Sequence, residues 1–365
     1  MTRRNRVIDL HNHVSTPACE SMLDGPAPPW LDPFTLYSGQ ETKSYNARHF
    51  GELVEKLTDP KRRLADMDRM GVDIQALSVA PPQFYYWTDP ALGRRLARMQ
   101  NKHLNEFVAG RPDRFVGLCT VPLQDVDAAI VELEHCVTQL DMRGVEICTN
   151  VNGLDLDAPR FRPFFAKAAE LDVVVLLHPH GFTGGERLTD YYLINVIGNP
   201  LDTTIAATRM ISGGLLEALP ELKLCFVHGG GYLPFYASRM DHSWRERPEG
   251  SHHIIERPPS SYLQQTYVDC LVYDEAHLAF LVQQMGSDHV VVGTDYPYDM
   301  GDLAAAALVE GSTALTDAEK TAILGGNAAR LLKIDGWTAL DVVPRHNTGP
   351  GKPVTIPLSV HRARD

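Results

Sequence analysis

The six cysteines of this 365-residue chain include no Cys-x-x-Cys pair. That excludes the paired-thiolate zinc motif and the dithiol redox motif. Cys119, Cys148, Cys225 and Cys270 instead lie inside apolar strand-like runs, where a free thiol is an ordinary core residue. No apolar run approaches the roughly 18 residues that cross a bilayer. The basic first residues lead into Val7-Ile8-Asp9-Leu10-His11 rather than into an apolar signal core. Basic excess is also missing: 34 Lys and Arg face 46 Asp and Glu, for a net charge of -12. A general nucleic-acid binder needs a basic face, so that class is excluded, and adsorption to anionic membranes is disfavoured. There is no low-complexity tract. The expectation is a cytoplasmic protein with neither a nucleic-acid nor a membrane partner.

What is present is an ordinary globular composition, 44% hydrophobic and 22% charged, able to bury a sizeable core. Length alone suggests two domains. One large α/β barrel fits equally well, since such barrels run about 250 residues before insertions. The 15 histidines are the surplus to be explained.

Eight short runs rich in Val, Ile, Leu and Cys recur, at 6–9, 72–79, 114–122, 143–149, 173–178, 222–228, 266–272 and 289–294. Such runs suit strands buried on both faces. Helical spacing lies between most of them. In 125–140 it is carried by Val126, Ala129, Ile130, Leu133 and Val137. Residues 161–171 read as a helix with Pro163 in its first turn, where no backbone donor is lost. Residues 276–285 read the same way, and 317–332 opens on Thr316 with Glu319 at capping-box spacing. The alternation predicts a (β/α)8 TIM-type barrel over 1–334; a doubly wound open sheet has the same local pattern. Residues 15–60, rich in Pro, Gly and polar side chains, read as a long insertion after strand 1, a lid or substrate loop. Residues 241–264 are a second polar stretch, and 335–365 read as a C-terminal extension, an extended arm that is either loose or packed on a partner subunit.

Four strand ends carry chemistry. Asp9-Leu10-His11-Asn12-His13 follows the first strand. Residues two apart on extended backbone point the same way, so His11 and His13 can face one ion; ordinary polar residues at a strand end give the same pattern. His178-Pro179-His180-Gly181 closes the fifth strand. His178 belongs to the strand and is the better ligand candidate, while His180 reads as pocket lining. His228 closes the sixth strand, and Gly229, Gly230 and Gly231 after it let the backbone turn tightly. A hydrogen-bonded core histidine is the alternative there, and the Gly-x-Gly-x-x-Gly pattern of a dinucleotide site is absent. Gly293-Thr294-Asp295-Tyr296-Pro297 closes the eighth. Asp295 can ligate metal, act as acid or base, or cap a turn. In a barrel all four ends meet on one face, and three histidines, one aspartate and a water make a metal site with an open position.

The same stretches carry a resemblance. The run from Asp9 to His13, residues 59–71 with Met67-Asp68, Phe84-Tyr85-Tyr86-Trp87 and Arg114-Phe115-Val116-Gly117-Leu118 contribute to it. So do Thr203-Thr204-Ile205-Ala206, His228 to Gly231 with Pro234-Phe235, and Gly293 to Pro297. In these the chain resembles the amidohydrolase superfamily, in the branch typified by 2-amino-3-carboxymuconate-6-semialdehyde decarboxylase, from about residue 7 to 334. The resemblance implies one divalent metal, usually zinc with manganese as the alternative. Its ligands would be His11, His13, His178 and Asp295 with water, and His228 would be the catalytic residue bonded to that water. It implies that Arg239 binds a substrate carboxylate and reaches into a neighbouring subunit's site, hence a homodimer or higher homo-oligomer. Arg48 is the nearest match to a second arginine, across a gap in spacing. Tyr192, Asn195 and His180 stand where that decarboxylase has tryptophans. Strand 4 ends at Glu146-Ile147-Cys148-Thr149-Asn150 without the lysine of two-metal hydrolases, so no second metal is expected and Glu146 reads as a structural acid.

The reading is a metal-dependent non-oxidative decarboxylase of an aromatic or unsaturated, muconate-semialdehyde-like, small-molecule carboxylic acid. The metal would activate water or a substrate oxygen, with His228 as base and Asp295 as proton donor. Phe84, Tyr86, Trp87 and Tyr298 would pack on the flat substrate, or simply in the core. The alternatives are a mononuclear hydrolase of a lactone or amide and a catalytically silent metal-binding or assembly protein.

Overall fold

Eight parallel strands surround a common interior: β1 Ile8–Val14, β2 Ile74–Val79, β3 Phe115–Cys119, β4 Gly144–Cys148, β5 Val174–His178, β6 Lys223–Phe226, β7 Tyr267–Asp269 and β8 Val290–Val291. In this computed structural model, which describes residues 3–334, 337 and 340–342, each strand pairs with the next in sequence. The last returns to the first through parallel bridges Asp9–Val292 and Asn12–Tyr296. The Leu10 N–H also bonds the Val292 carbonyl at 2.8 Å. That closure separates a barrel from the open sheet with the same local pattern.

The strands alternate between two apolar layers. Val175, Leu177, Leu224, Phe226, Val290 and Val292 pack outward against helices. Val174, Leu176, Cys225 and Val291 pack inward with Ile8 and Leu10. Ala328, Ala329, Leu331 and Leu332 plug the barrel end away from the functional face. The strands are buried on both sides, which is why they read as near-continuous apolar runs. Aspartates start several of the helices. Asp59, Asp89, Asp125 and Asp274 each accept a backbone N–H from the first turn, worth about 1 kcal/mol apiece.

Helices Val126–Gln139, Arg162–Glu170 and Glu275–Met285 match the predicted segments, with Pro163 in the first turn of the second. The Thr316–Glu319 capping box is present. The helix it opens is not continuous: a wide turn at Ala322–Gly326 interrupts it. There bare Gly325 lies against Trp337 and the Arg6 carbonyl, where a Cβ would stand 2.6 Å or less from both. All six cysteines are free and buried.

Three expectations need correction. The first strand does not stop at residue 9; it runs through Val14 and includes both histidines. The 15–60 insertion is not loop throughout. Gln40–Thr58 is a 19-residue helix, in a stretch where no proline interrupts the helix formers. The start of the C-terminal extension packs on its own chain: Leu340–Val342 pairs antiparallel with Arg3–Asn5, and the Arg6 guanidinium lies 4.6 Å over the Trp337 ring. The rest of the expected arm lies outside the described residues. No helix among the described residues is long and apolar enough to cross a membrane.

Candidate metal centre

His11 and His13 come from β1 and His178 from the last position of β5. Asp295 and His228 stand just beyond β8 and β6. Both have left-handed backbone, with φ of 54° and 56°. Non-glycine residues pay about 1–3 kcal/mol for such conformations, so neighbouring bonds must hold them. The Asp295 N–H donates to the His11 carbonyl at 2.8 Å, and the His228 N–H donates to Asp269 Oδ2 at 2.9 Å.

One donor atom from each of His11, His13, His178 and Asp295 lies within 4.8 Å of the others, and all four residues are buried. Asp295 Oδ1 is 3.3 Å from His11 Nε2, 3.1 Å from His13 Nε2 and 3.9 Å from His178 Nε2. The far side of each ring is tied back. His11 Nδ1 donates to Asp269 at 2.7 Å, His13 Nδ1 to the Val79 carbonyl at 3.1 Å, and His178 Nδ1 to the Pro179 carbonyl at 2.6 Å. Those acceptors fix the tautomer, because a carbonyl or an ionised carboxylate can only accept. Each ring therefore turns its Nε2 inward: His13 Nε2 lies 3.1 Å from Asp295 Oδ1, and the Nε2 atoms of His11 and His178 are buried without a hydrogen-bond partner. Imidazole nitrogens gathered around a carboxylate and oriented from behind are the donor set of a divalent cation once the proton they share is displaced.

The electrostatics agree. Burial works against a charged His11, but Asp295 and Asp269 outweigh it and raise the ring to about 10. Burial lowers His13 and drives His178 far down. Burial opposes the Asp295 charge too, yet His11 and the other rings hold the carboxyl well below its ordinary range. The metal-free site thus keeps a proton that a cation must displace. Uptake of zinc or manganese at pH 7 should release a proton. Apparent affinity should fall up to about tenfold for each pH unit lowered. Calorimetric titration in buffers of different ionisation heat checks this; proton-neutral uptake would contradict it.

Asp269 escaped the sequence reading. It ends β7, fully buried, and binds three groups besides His11: the N–H of His228, the N–H of Gly229 at 2.7 Å and the N–H of Leu271 at 3.1 Å. One carboxylate therefore orients a ligand and pins the turn that carries His228. Gly293 permits the close packing here: a Cβ would stand 2.7 Å from Asp269 Cβ and 2.8 Å from His11 Cβ. Asp269→Asn should weaken cation binding by about 10–100-fold. Competition with a chromophoric chelator measures it, and wild-type affinity would refute the orienting role.

An amidohydrolase family model matches residues 8–334. The chain belongs to that family. It is 35% identical over 333 residues to the 2-amino-3-carboxymuconate-6-semialdehyde decarboxylase of Dictyostelium discoideum, covering 91% of this chain and 93% of the relative. It is 30% identical over 315 residues to the gamma-resorcylate decarboxylase of Rhizobium radiobacter, covering 79% and 91%. Among solved structures it resembles a dihydroxybenzoic acid decarboxylase from a Polaromonas species with bound manganese and the inhibitor 2-nitroresorcinol. There the TM-score is 0.76 and the identity 26%, over 90% of this chain and 97% of that one. With these relatives the amidohydrolase is a carboxy-lyase.

His228 stands beside the four side chains, its Nε2 3.6 Å from Asp295 Oδ2 and its buried Nδ1 without a partner. Glu146 is fully buried 3.7 Å from His13 Nδ1, and burial raises its carboxyl well above the usual range. Tyr298 meets His13 edge-on at 5.4 Å. Next to the site is a cleft of about 100 Å³ lined by Trp30, Asp32, Phe84, Tyr86, Trp87 and His180, among others, but by none of the four metal-facing residues. Cys148, in its lining, pairs in register with His178 on the neighbouring strand. Phe84 and Tyr86 also belong to the outer core. His180 pairs with Asp32 at 3.0 Å, which ties the insertion to the loop after β5 and holds the Asp32 carboxyl at about 2 despite burial. Tyr192 reaches Asp299 at 3.2 Å. The structure does not join the remaining residues to the cluster. Asn195 lies in a wide turn at Ile194–Gly198. Arg48 and Arg239 are exposed on helices Gln40–Thr58 and Leu233–Glu246, without an ion pair among the described residues.

Proposed function

We propose that this amidohydrolase is a metal-dependent, non-oxidative decarboxylase of an aromatic or unsaturated carboxylic acid. The observation that carries the reading is the buried set of His11, His13, His178 and Asp295, with the ring Nε2 atoms turned inward around the carboxylate. It stands in a chain similar along most of its length to decarboxylases of a muconate semialdehyde and of dihydroxybenzoates. A divalent cation at these four residues, zinc by the imidazole-rich donor set or manganese as in the Polaromonas relative, supplies Lewis acidity toward a substrate oxygen.

The chain's own groups do the rest. His228 is the base at the open side. Its Nε2 stands 3.6 Å from Asp295 Oδ2, so a proton passes between them once the gap tightens or a water bridges it. Asp295 rests as a carboxylate, so the proton it delivers to the carbon losing CO2 must first be received. Phe84, Tyr86, Trp87 and Tyr298 bound the flat substrate body, with His180, Tyr192 and Asn195 shaping the rim. Arg239 supplies a carboxylate contact in a neighbouring subunit's site, and Arg48 a second one. Beside Arg239 are Phe235, stacked on Phe280 at 5.1 Å, and Tyr236, 64% exposed, an aromatic surface suited to a second copy of the chain.

A panel of substituted benzoates, carboxylated heteroaromatics and muconate semialdehydes, with CO2 and product identified, tests the proposal. One equivalent of CO2 per product molecule is the expected result. A ring-opened acid without CO2 would establish lactone or amide hydrolysis in its place.

A further inference from the structure

β1 contains an irregularity that decides where its histidines point. Asp9 pairs with Gln75 and Asn12 with Leu77, so three steps on β1 match two on β2. That is a bulge of one extra residue. Ile8 and Leu10 face the barrel interior, and Val14 packs in the outer layer. Strict alternation from Leu10 would turn His11 and His13 outward, because a one-residue slip moves every later side chain to the other face. The bulge gives Leu10 and His11 the same side and sends both histidines into the site.

Behind the bulge lies Arg63, on helix Pro60–Met70. Its side chain is fully buried, and among the described residues no carboxylate lies within ion-pair distance of it. A buried guanidinium is costly unless its donors find acceptors; Nε here has none, and the two terminal nitrogens carry the bonds. Its Nη1 donates to Asn12 Oδ1 at 3.1 Å and Gln75 Oε1 at 2.9 Å, and its Nη2 donates to the His13 carbonyl. The Tyr296 ring covers it at 4.7 Å. The acceptors are tied in turn. Gln75 donates to Asp9 Oδ2 at 2.8 Å, and Asn12 donates to the carbonyls of Asp9 at 3.2 Å and Ala76 at 3.1 Å. Every partner on β1 is a residue of the irregular stretch or the carbonyl just after it. The arginine therefore clamps the bulge itself rather than the helix to the barrel in general.

We propose that Arg63 is a positioning residue for the metal centre, holding the β1 bulge so that His11 and His13 present their imidazoles to one ion. The inference rests on the four-residue metal site proposed above. Cobalt(II) alone is the probe, since its visible bands report ligand geometry and a chelator competition reports affinity. Arg63→Met should weaken cobalt binding by about 10–100-fold and shift the bands. Arg63→Lys keeps the charge and loses the planar fork, so it should fall between that variant and wild type. If Arg63→Met does not fold, Gln75→Met decides, because it removes one of the two Nη1 acceptors and should weaken binding by at least about threefold, below the range typical for losing an outer-shell partner outright. A purely structural role would lower the melting temperature of the metal-free variants and leave affinity and bands at wild-type values; that result overturns the proposal. Failure of the wild-type protein to bind cobalt would instead overturn the four-residue site, and the clamp with it.

Discussion

Asp295→Ala is expected to abolish turnover, and for two separable reasons. The first is cation retention. Asp295 is the sole carboxylate of the four metal-facing residues, with Oδ1 3.1–3.3 Å from two ring nitrogens. Alanine leaves neutral imidazoles without their anion. The second is proton transfer. Losing a positioned acid or base costs about 10²–10⁴-fold in rate by itself. Elemental analysis after desalting should show the variant depleted of metal, and excess cation in the assay should not restore the rate. Activity equal to wild type would be fatal to the site.

His228→Asn should separate these two effects. Asparagine accepts the left-handed backbone that His228 adopts at φ 56°, so the turn held by Asp269 can persist. The imidazole is lost, while the four metal-facing side chains are untouched. The expected result is a kcat lower by about 10²–10⁴-fold with wild-type metal content and little change in KM. Depletion of metal in this variant would make His228 a ligand. An unchanged kcat would remove it as base.

The barrel and the strand-end chemistry were legible because they depend on local pattern. Apolar runs closing on His178, His228 and Asp295 announce themselves, since a strand has no other reason to bury such groups. Asp269 lacks that signal, because the apolar run reads on through Cys270-Leu271-Val272 and places it mid-strand, whereas β7 ends at it. The β1 bulge could not be read, because the i, i+2 spacing of His11 and His13 is the same with or without it. What decides their direction is a register with β2 and a guanidinium 50 residues away from His13 in sequence. The helix Gln40–Thr58 was hidden by the proline-rich stretch before it and by its largely exposed surface. Whether Arg48 and Arg239 meet substrate depends on groups brought from outside their own helices, which no local pattern records.

The most direct measurement is metal dependence of CO2 release from a carboxylic acid substrate. The protein is stripped with a chelator and then titrated with zinc or manganese. The account predicts no CO2 from the stripped protein and full recovery at one ion per chain. CO2 release undiminished by complete metal removal, or recovery only at two ions per chain, would contradict it.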